Sequence, residues 1–128
     1  MREGAIAEID KEKGLAILKH KTQENDAGKA NFTGANLSRS KMAGIAAQTA
    51  DFTDAMLLGA RMIRANLRGS SFQGANLEGA DLSGAALTDT DFKDSVMIGV
   101  KTVMAKTSGM NTEGALTNEP VGIDPNDM

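Results

Sequence analysis

The chain has 128 residues, which limits it to one small domain with or without tails. It contains no Cys, no Trp, no Tyr and one His, His20. The absence of Cys excludes disulfides, thiolate metal sites and Cys nucleophiles. Fourteen Lys and Arg against 17 Asp and Glu give a net charge of −3, so no basic field predicts a nucleic-acid partner. No run of 18 apolar residues occurs, and the N-terminus, with Glu3, Glu8 and Asp10, lacks the apolar core of a signal peptide. We therefore expect no membrane span, no secretory signal and a cytoplasmic location.

Residues 1–29 lack the pattern of the rest of the chain and are expected to form an N-terminal cap. Two apolar-rich runs flank a polar loop that ends at Gly14, a residue suited to the positive-φ position of a hairpin loop. A β-hairpin over residues 5–20 is therefore predicted. A helix over the same residues is the alternative, although Gly14 in its middle costs about 1 kcal/mol. Residues 21–29 are predicted to be a polar linker, and His20 a surface residue.

From residue 30 to residue 99 the chain consists of 14 consecutive blocks of five residues. The third residue is Phe, Leu or Met in 13 blocks, and the first residue is small in 13. The exceptions, Ile45 and Ala47, lie in the same block. Ile45 is larger than the usual first residue and Ala47 is smaller than the usual third residue, so the total side-chain volume is kept, as a close-packed interior requires. A five-residue period fits neither a helix nor a straight strand. It predicts a chain that turns a corner every five residues and points its first and third side chains inward.

A longer period predicts how many corners make one coil. The four Phe residues lie 20 residues apart, at Phe32, Phe52, Phe72 and Phe92. Twenty residues are four blocks, so a four-sided coil stacks like residues on like and buries them between neighbours. Successive coils are expected at roughly 4.8 Å, joined by short parallel ladders. The sequence therefore predicts about 3.5 to 4 coils of 20 residues.

These blocks resemble the pentapeptide-repeat family, whose pattern is A(D/N)LXX. ANLEG and ADLSG at residues 75–84 match the pattern letter for letter, whereas Lys41, Met56 and Val96 replace its Asn or Asp. The resemblance covers 70 of the 128 residues. It implies an all-β fold, a right-handed quadrilateral β-helix, and it implies little about activity because the family serves many roles.

Beyond the regular blocks of residues 30–99, the register continues but Thr takes the third position three times, at Thr102, Thr107 and Thr112. Inward Thr side chains need hydrogen-bond partners or solvent. Residues 100–114 are therefore predicted to be a degenerate, fraying last coil, which makes the solenoid 30–114. Residues 115–128, with two Pro and mixed polar residues, are predicted to be an extended tail.

Charged residues are divided between opposite sides of the predicted coil: over residues 30–109 the Phe side has a net charge of −3 and the opposite side +3. This division predicts either a footprint for a charged partner or solvated faces. Asp51 with Asp54, and Asp91 with Asp94, lie two coils apart. We expect them to be structural or solvated, because no His, Arg or oxyanion donor set accompanies them and a flat side offers no dry pocket. No catalytic residue, metal or cofactor is expected.

Six apolar residues occupy outward positions around one corner of the coil. They are Met56, Leu58 and Ile63 on one coil and, two coils later on the same two sides, Val96, Ile98 and Val103. This number exceeds ordinary scatter on water-facing positions and predicts a covered patch. Either the N-terminal segment or the C-terminal tail covers it, or another protein does. If a partner site exists, these six residues are the candidates.

The sequence favours a non-catalytic protein-interaction or scaffold module, with an unidentified protein partner, no nucleic-acid or membrane partner, and a monomeric or weakly end-to-end oligomeric state. An enzyme is not expected, because no nucleophile has a positioned base. Whether the chain is a segment of a larger bacterial protein stays open.

The alternative comes from the resemblance, since some pentapeptide-repeat proteins resemble a B-DNA rod in width and charge, bind DNA gyrase and dimerise through their C-terminal ends. This chain departs from that picture. Residues 30–99 carry seven acidic and six basic residues, and no amphipathic C-terminal helix is predicted.

Overall fold

The computed structural model describes residues 28–118, in which the backbone forms a four-sided solenoid of turns and single-residue β-bridges. Fourteen parallel bridges join residues 20 apart, from Asn31↔Asp51 to Val96↔Leu116. Within these residues there is no helix and no continuous strand, because each bridge is one residue long and a turn begins two residues later. Four five-residue blocks therefore complete one coil.

We number the sides of the solenoid from the one that carries Phe. Side 1 contains residues 30–34, 50–54, 70–74, 90–94 and 110–114; side 2 contains 35–39, 55–59, 75–79, 95–99 and 115–118; side 3 contains 40–44, 60–64, 80–84 and 100–104; side 4 contains 45–49, 65–69, 85–89 and 105–109. Sides 1 and 3 are opposite each other, and side 2 adjoins side 3.

Each corner is a β-turn closed by one hydrogen bond. The N–H of Ala35 donates to the carbonyl oxygen of Phe32 at 2.9 Å, and the same bond recurs at every corner as far as Ala115. The fifth residue of each block, from Lys29 to Gly114, has a φ between 55° and 76°, the left-handed value found at the third residue of a type II turn. Glycine is common there because it reaches this φ without a Cβ clash.

Hydrogen bonds along the solenoid axis join each coil to the next. The N–H of Phe52 donates to the carbonyl of Ser71 at 2.7 Å, and the N–H of Ser71 donates back to the carbonyl of Ala50 at 3.1 Å. The four Phe rings stack with centroids 4.6–4.7 Å apart and interplanar angles of 1–7°. This spacing matches the roughly 4.8 Å between hydrogen-bonded strands, as the sequence predicts.

The interior is filled by first-position and third-position side chains, as the repeat predicts. Ile45 and Ala47 are both 0% exposed, so the exchange of bulk within their block keeps the interior filled. Buried hydroxyl groups at the first position are also satisfied: Ser40, Thr90 and Ser95 each donate to the carbonyl that closes their own turn, at 2.6–2.8 Å. A hydroxyl therefore replaces the methyl of Ala without leaving a buried polar group unpaired.

The Asn and Asp side chains at the second position brace the turn that follows them. Oδ1 of Asn31 accepts the N–H of Thr33 at 2.9 Å, and Oδ1 of Asp51 accepts the N–H of Thr53 at 3.0 Å. A short side chain with an oxygen acceptor makes this local bond, and the hydroxyl of Ser71 accepts the N–H of Gln73 in the same way at the longer distance of 3.3 Å. It supplies a physical reason for Asn and Asp at this position that the sequence reading lacked.

The solenoid geometry continues further toward the C-terminus than the predicted boundary at residue 114. Residues 100–114, predicted to fray, form the same turn bonds, and Val96 pairs with Leu116. Val100 and Met110 are half-buried against the core. The side chains in this coil are less buried because within residues 28–118 no further coil stacks on them.

Several expectations concern residues outside the described range. The hairpin over 5–20, His20 and most of the 21–29 linker lie there, as does the tail from residue 119. Within the linker, Lys29 already follows the solenoid, since its N–H donates to the carbonyl of Gln48 at 3.0 Å. Over residues 28–118 no helix is long and apolar enough to cross a membrane.

The Phe column is expected to contribute strongly to stability. Phe72 is fully buried between Phe52 and Phe92, so Phe72→Ala should lower the free energy of unfolding by about 3–5 kcal/mol. Phe72→Leu, which installs the residue of the neighbouring columns, should cost markedly less. Urea denaturation measures both. A loss for Phe72→Ala no larger than that for Phe72→Leu would contradict the packing described here.

The left-handed turn position provides a second test. Thr49 is a β-branched residue at φ 55°, a strained combination, so Thr49→Gly should raise the free energy of unfolding by about 0.5–1 kcal/mol. Gly44→Ala is the matched control. The added Cβ would meet nothing within 4 Å, so any loss of stability comes from placing a side chain at the φ of 71° that Gly44 adopts. It should lower stability, and a neutral result for both variants would refute the assignment of strain.

Candidate functional site

The six apolar residues predicted to form a patch lie on sides 2 and 3, which meet at one corner. The side chains of Met56, Ile98 and Val103 are exposed, by 44%, 39% and 67%. The other three, Leu58, Ile63 and Val96, are half-buried. All six therefore reach the surface of two adjacent sides.

The structure does not join these six residues into one continuous patch. Asn76 is bridged to Met56 on one side and to Val96 on the other. In the same way Glu78 lies between Leu58 and Ile98, and Ser83 lies between Ile63 and Val103. A polar coil thus separates two apolar groups.

The larger apolar group is at the C-terminal end, and it includes two residues that the sequence reading missed. Met104 is 83% exposed and Leu116 is 57% exposed, and Leu116 is bridged directly to Val96. We call this set the C-terminal apolar group; its members are Val96, Ile98, Val103, Met104 and Leu116. Met104 is a fifth-position residue, and Leu116 lies beyond the predicted end of the solenoid at residue 114. Neither therefore stood among the second-position and fourth-position residues from which the patch was predicted.

Cationic side chains occupy the second position of side 3, beside the apolar groups. Lys41, Arg61, Asp81 and Lys101 follow one another in a single bridged column. Hydrogen bonds from the hydroxyl and backbone N–H of Ser83 lower the pKa of Asp81; burial partly opposes them, and the charges of Lys101 and Arg61 lower the pKa further. The carboxylate is therefore ionised at neutral pH. We call Lys41, Arg61 and Lys101 the basic column.

The corner between sides 2 and 3 is mostly bare backbone. Its fifth-position residues after Arg39 are Gly59, Gly79 and Gly99, one above the other. A Cβ at Gly79 would meet no atom closer than 4.0 Å. At these three positions no side chain stands between the apolar residues of side 2 and the basic column.

Charge is also divided along the solenoid axis. Residues 28–69 carry six cations and two anions, whereas residues 70–118 carry three cations and six anions. The N-terminal half of the described solenoid is therefore net positive by four and the C-terminal half net negative by three. This axial asymmetry accompanies the division between sides 1 and 3, which the sequence analysis noted.

The carboxylates of side 1 lie in a line rather than in a cluster. Asp51 and Asp91 are both bridged to Ser71, which lies between them. The pKa of Asp51 is lowered chiefly by hydrogen bonds from the side chain and backbone of Thr53, so this carboxylate acts as a turn-bracing acceptor. No group of three or more His, Asp or Glu suited to a metal ion occurs within residues 28–118.

Comparison with known proteins identifies the repeat. The family model described as pentapeptide repeats matches residues 30–69 and 60–99. Comparison with curated proteins finds none with significant similarity to this chain. Thirty-two chains of solved structures match.

Two of these structures share the fold over most of the described residues. A pentapeptide repeat protein from the cyanobacterium Cyanothece 51142 is 29% identical, with a TM-score of 0.60 over 77% of this chain and 64% of that one. A pentapeptide repeat protein from the Arabidopsis thaliana thylakoid lumen is 26% identical, with a TM-score of 0.61 over 72% of this chain and 61% of that one. The chain thus spans less than two thirds of the length of either protein.

The family match covers residues 30–99, more than half of the chain, and the neighbours carry the same repeat. The match agrees with the five-residue turns, the 20-residue bridges and the inward first and third positions. The chain belongs to the pentapeptide-repeat family, and its solenoid is a right-handed quadrilateral β-helix.

Proposed function

We propose that this chain is a non-catalytic protein-interaction module that binds a partner protein on sides 2 and 3. The observation that carries the proposal is the exposure of the C-terminal apolar group: Val103, Met104 and Leu116 are each more than half exposed to solvent. Apolar side chains held on a rigid surface lose little conformational freedom when a partner covers them. Burying them therefore favours binding.

The positive charge on side 3 indicates which residues a partner would present to it. The basic column runs along side 3 next to Val103, and Arg64 extends the positive surface to the far edge of that side. Complementary charge raises the association rate and excludes wrong partners. The surface therefore suits a partner that presents apolar side chains together with Asp or Glu.

The charge pattern disfavours the alternative of a DNA mimic directed at a type II topoisomerase. A mimic of duplex DNA needs anionic charge along its whole length. Here residues 28–69 carry six cations against two anions. The described solenoid is positive in one half and negative in the other. This division favours binding of a protein surface in one orientation.

The proposal is tested by affinity capture from lysate of the source organism. Wild-type protein should retain a specific partner, and Ile98→Asp with Val103→Asp should lose it, because the two substitutions place anions in the apolar group. Gln48→Asp with Gln73→Asp is the matched control, since it adds the same two negative charges at exposed fourth positions on sides 4 and 1. It should retain the partner.

Thermal melting of each variant shows whether it is folded. Both Ile98 and Val103 are exposed, so the double variant should melt near the wild-type temperature. Equal retention by the folded double variant, or no retained protein with wild type, would overturn the proposal.

A further inference from the structure

We propose that the partner contacts sides 2 and 3 through an amphipathic α-helix that lies along the solenoid axis. The contacting face of this helix carries apolar residues seven positions apart and a Lys or Arg midway between them. This inference rests on the proposed function, because it names the kind of segment that the same surface binds.

The chemistry of sides 2 and 3 alternates from one coil to the next. Four outward positions of each coil, the second and fourth of both sides, change together. In coil 2, residues 50–69, they are Met56, Leu58, Arg61 and Ile63; in coil 3, residues 70–89, they are Asn76, Glu78, Asp81 and Ser83; in coil 4, residues 90–109, they are Val96, Ile98, Lys101 and Val103. Coils 2 and 4 are thus apolar with one cation, whereas coil 3 is polar with two anions.

Every charged residue of sides 2 and 3 agrees with this alternation. Within residues 28–118 these two sides carry five cations and two anions, which are Arg39, Lys41, Arg61, Arg64 and Lys101 against Glu78 and Asp81. Both anions lie in coil 3, and none of the five cations does. A segment that follows the solenoid axis therefore meets positive charge, then negative charge, then positive charge again.

A second copy of this surface does not complement it. When both apolar coils of one copy face those of another, cations meet cations in either orientation, because Arg61 and Lys101 occupy the same position in coils 2 and 4. Coil 3 then faces coil 3, which brings Glu78 and Asp81 against their own equivalents. Like charges placed against each other are strongly unfavourable. The occupant is therefore a segment with the opposite order of charges.

The spacing of the coils favours a helix over an extended segment. Successive Phe rings are 4.6–4.7 Å apart, so coils 2 and 4 are separated by roughly 9.5 Å. An α-helix repeats its face every seven residues, about 10.5 Å, and a tilt of about 25° to the solenoid axis reduces this distance to roughly 9.5 Å. Side chains on one face of a β-strand repeat about every 6.8 Å. Neither one nor two of these repeats matches the separation of the apolar coils.

The residue types of the helix follow from the coils that it meets. Apolar residues at positions i and i+7 pack on Leu58 and Ile98. A Lys or Arg at i+3 or i+4 lies on the same helix face between them and meets Glu78 and Asp81. Asp or Glu on the flank toward side 3 pairs with the cations of the basic column. The partner helix thus carries both signs of charge in a fixed order.

Selection from a library of displayed helical peptides tests this inference directly. The library uses an Ala-rich scaffold of about 20 residues, long enough to be helical in water, with one face randomised, and the target is the full-length protein. Enriched peptides should carry apolar residues seven positions apart, with Lys or Arg three or four positions after the first. Apolar residues enriched at every second position, or no enrichment beyond that of a library with Pro at its centre, would overturn the helix.

A charge-reversed target tests the contact made by the middle residue of the helix. Selection on Glu78→Lys with Asp81→Lys should replace Lys or Arg at the middle position by Asp or Glu and keep the apolar spacing. The fold accommodates both changes, because Lys41 and Lys101 share the column of Asp81 and Lys93 occupies a fourth position on side 1. Thermal melting verifies that the variant is folded. An unchanged middle residue would contradict the assignment.

Fluorescence anisotropy of one enriched peptide measures the size of these effects. Replacing its middle Lys by Glu should weaken binding to the wild-type protein by at least about tenfold, and the charge-reversed protein should recover most of that loss. Ile98→Asp with Val103→Asp should abolish binding, whereas Gln48→Asp with Gln73→Asp should leave it unchanged. Equal losses for these two pairs of substitutions would refute the location on sides 2 and 3.

Failure of this inference is distinguishable from failure of the proposed function. The selection uses a synthetic library and the full chain, so its result does not depend on the proteins in a lysate of the source organism. A captured partner without any helical binder would overturn the helix alone. Helical binders without a captured partner would overturn the proposed function alone.

Discussion

The turn at each corner is the constraint on which the rest of the structure depends. A third-position carbonyl accepts the N–H three residues later, and the fifth residue adopts a left-handed φ, so the chain changes direction once per block. Four such turns return it to the same side. Residues 20 apart therefore stack, and the parallel bridges, the Phe column and the buried first position all follow from that stacking.

Because the turn assigns a fixed direction to each position, the interior and the surface are specified by different residues of the same block. First and third positions must be small and large, and a bulky first residue requires a smaller third one, as Ile45 and Ala47 show. Second and fourth positions face solvent. At second positions the basic column, Val96 and Leu116 replace the Asn and Asp that brace turns elsewhere. The surface that we propose for partner binding thus consists of residues at positions that the packing of the interior does not restrict.

The sequence predicts the fold well because the information is periodic. Four Phe at a spacing of 20 residues determine the number of sides, and the spacing of the coils follows from strand chemistry. The surface was predicted less completely. The six apolar residues were grouped without regard to Asn76 and Glu78, which the register places between them. Met104 was missed because it is a fifth-position residue, whereas the six candidates are all at second or fourth positions. Leu116 was missed because it lies beyond the predicted end of the solenoid at residue 114.

The positions of the apolar groups and of the charged columns on the surface both depend on the 20-residue register. Disulfide formation tests it most directly, since the chain has no Cys of its own. Lys41→Cys with Arg61→Cys places two thiols on bridged residues of side 3, at roughly 4.8 Å between strands, within the Cα separation that a disulfide spans. Lys41→Cys with Met56→Cys, 15 residues apart on different sides, is the control. The account predicts that mild oxidation cross-links the first pair and not the second; cross-linking of the second pair alone would contradict it.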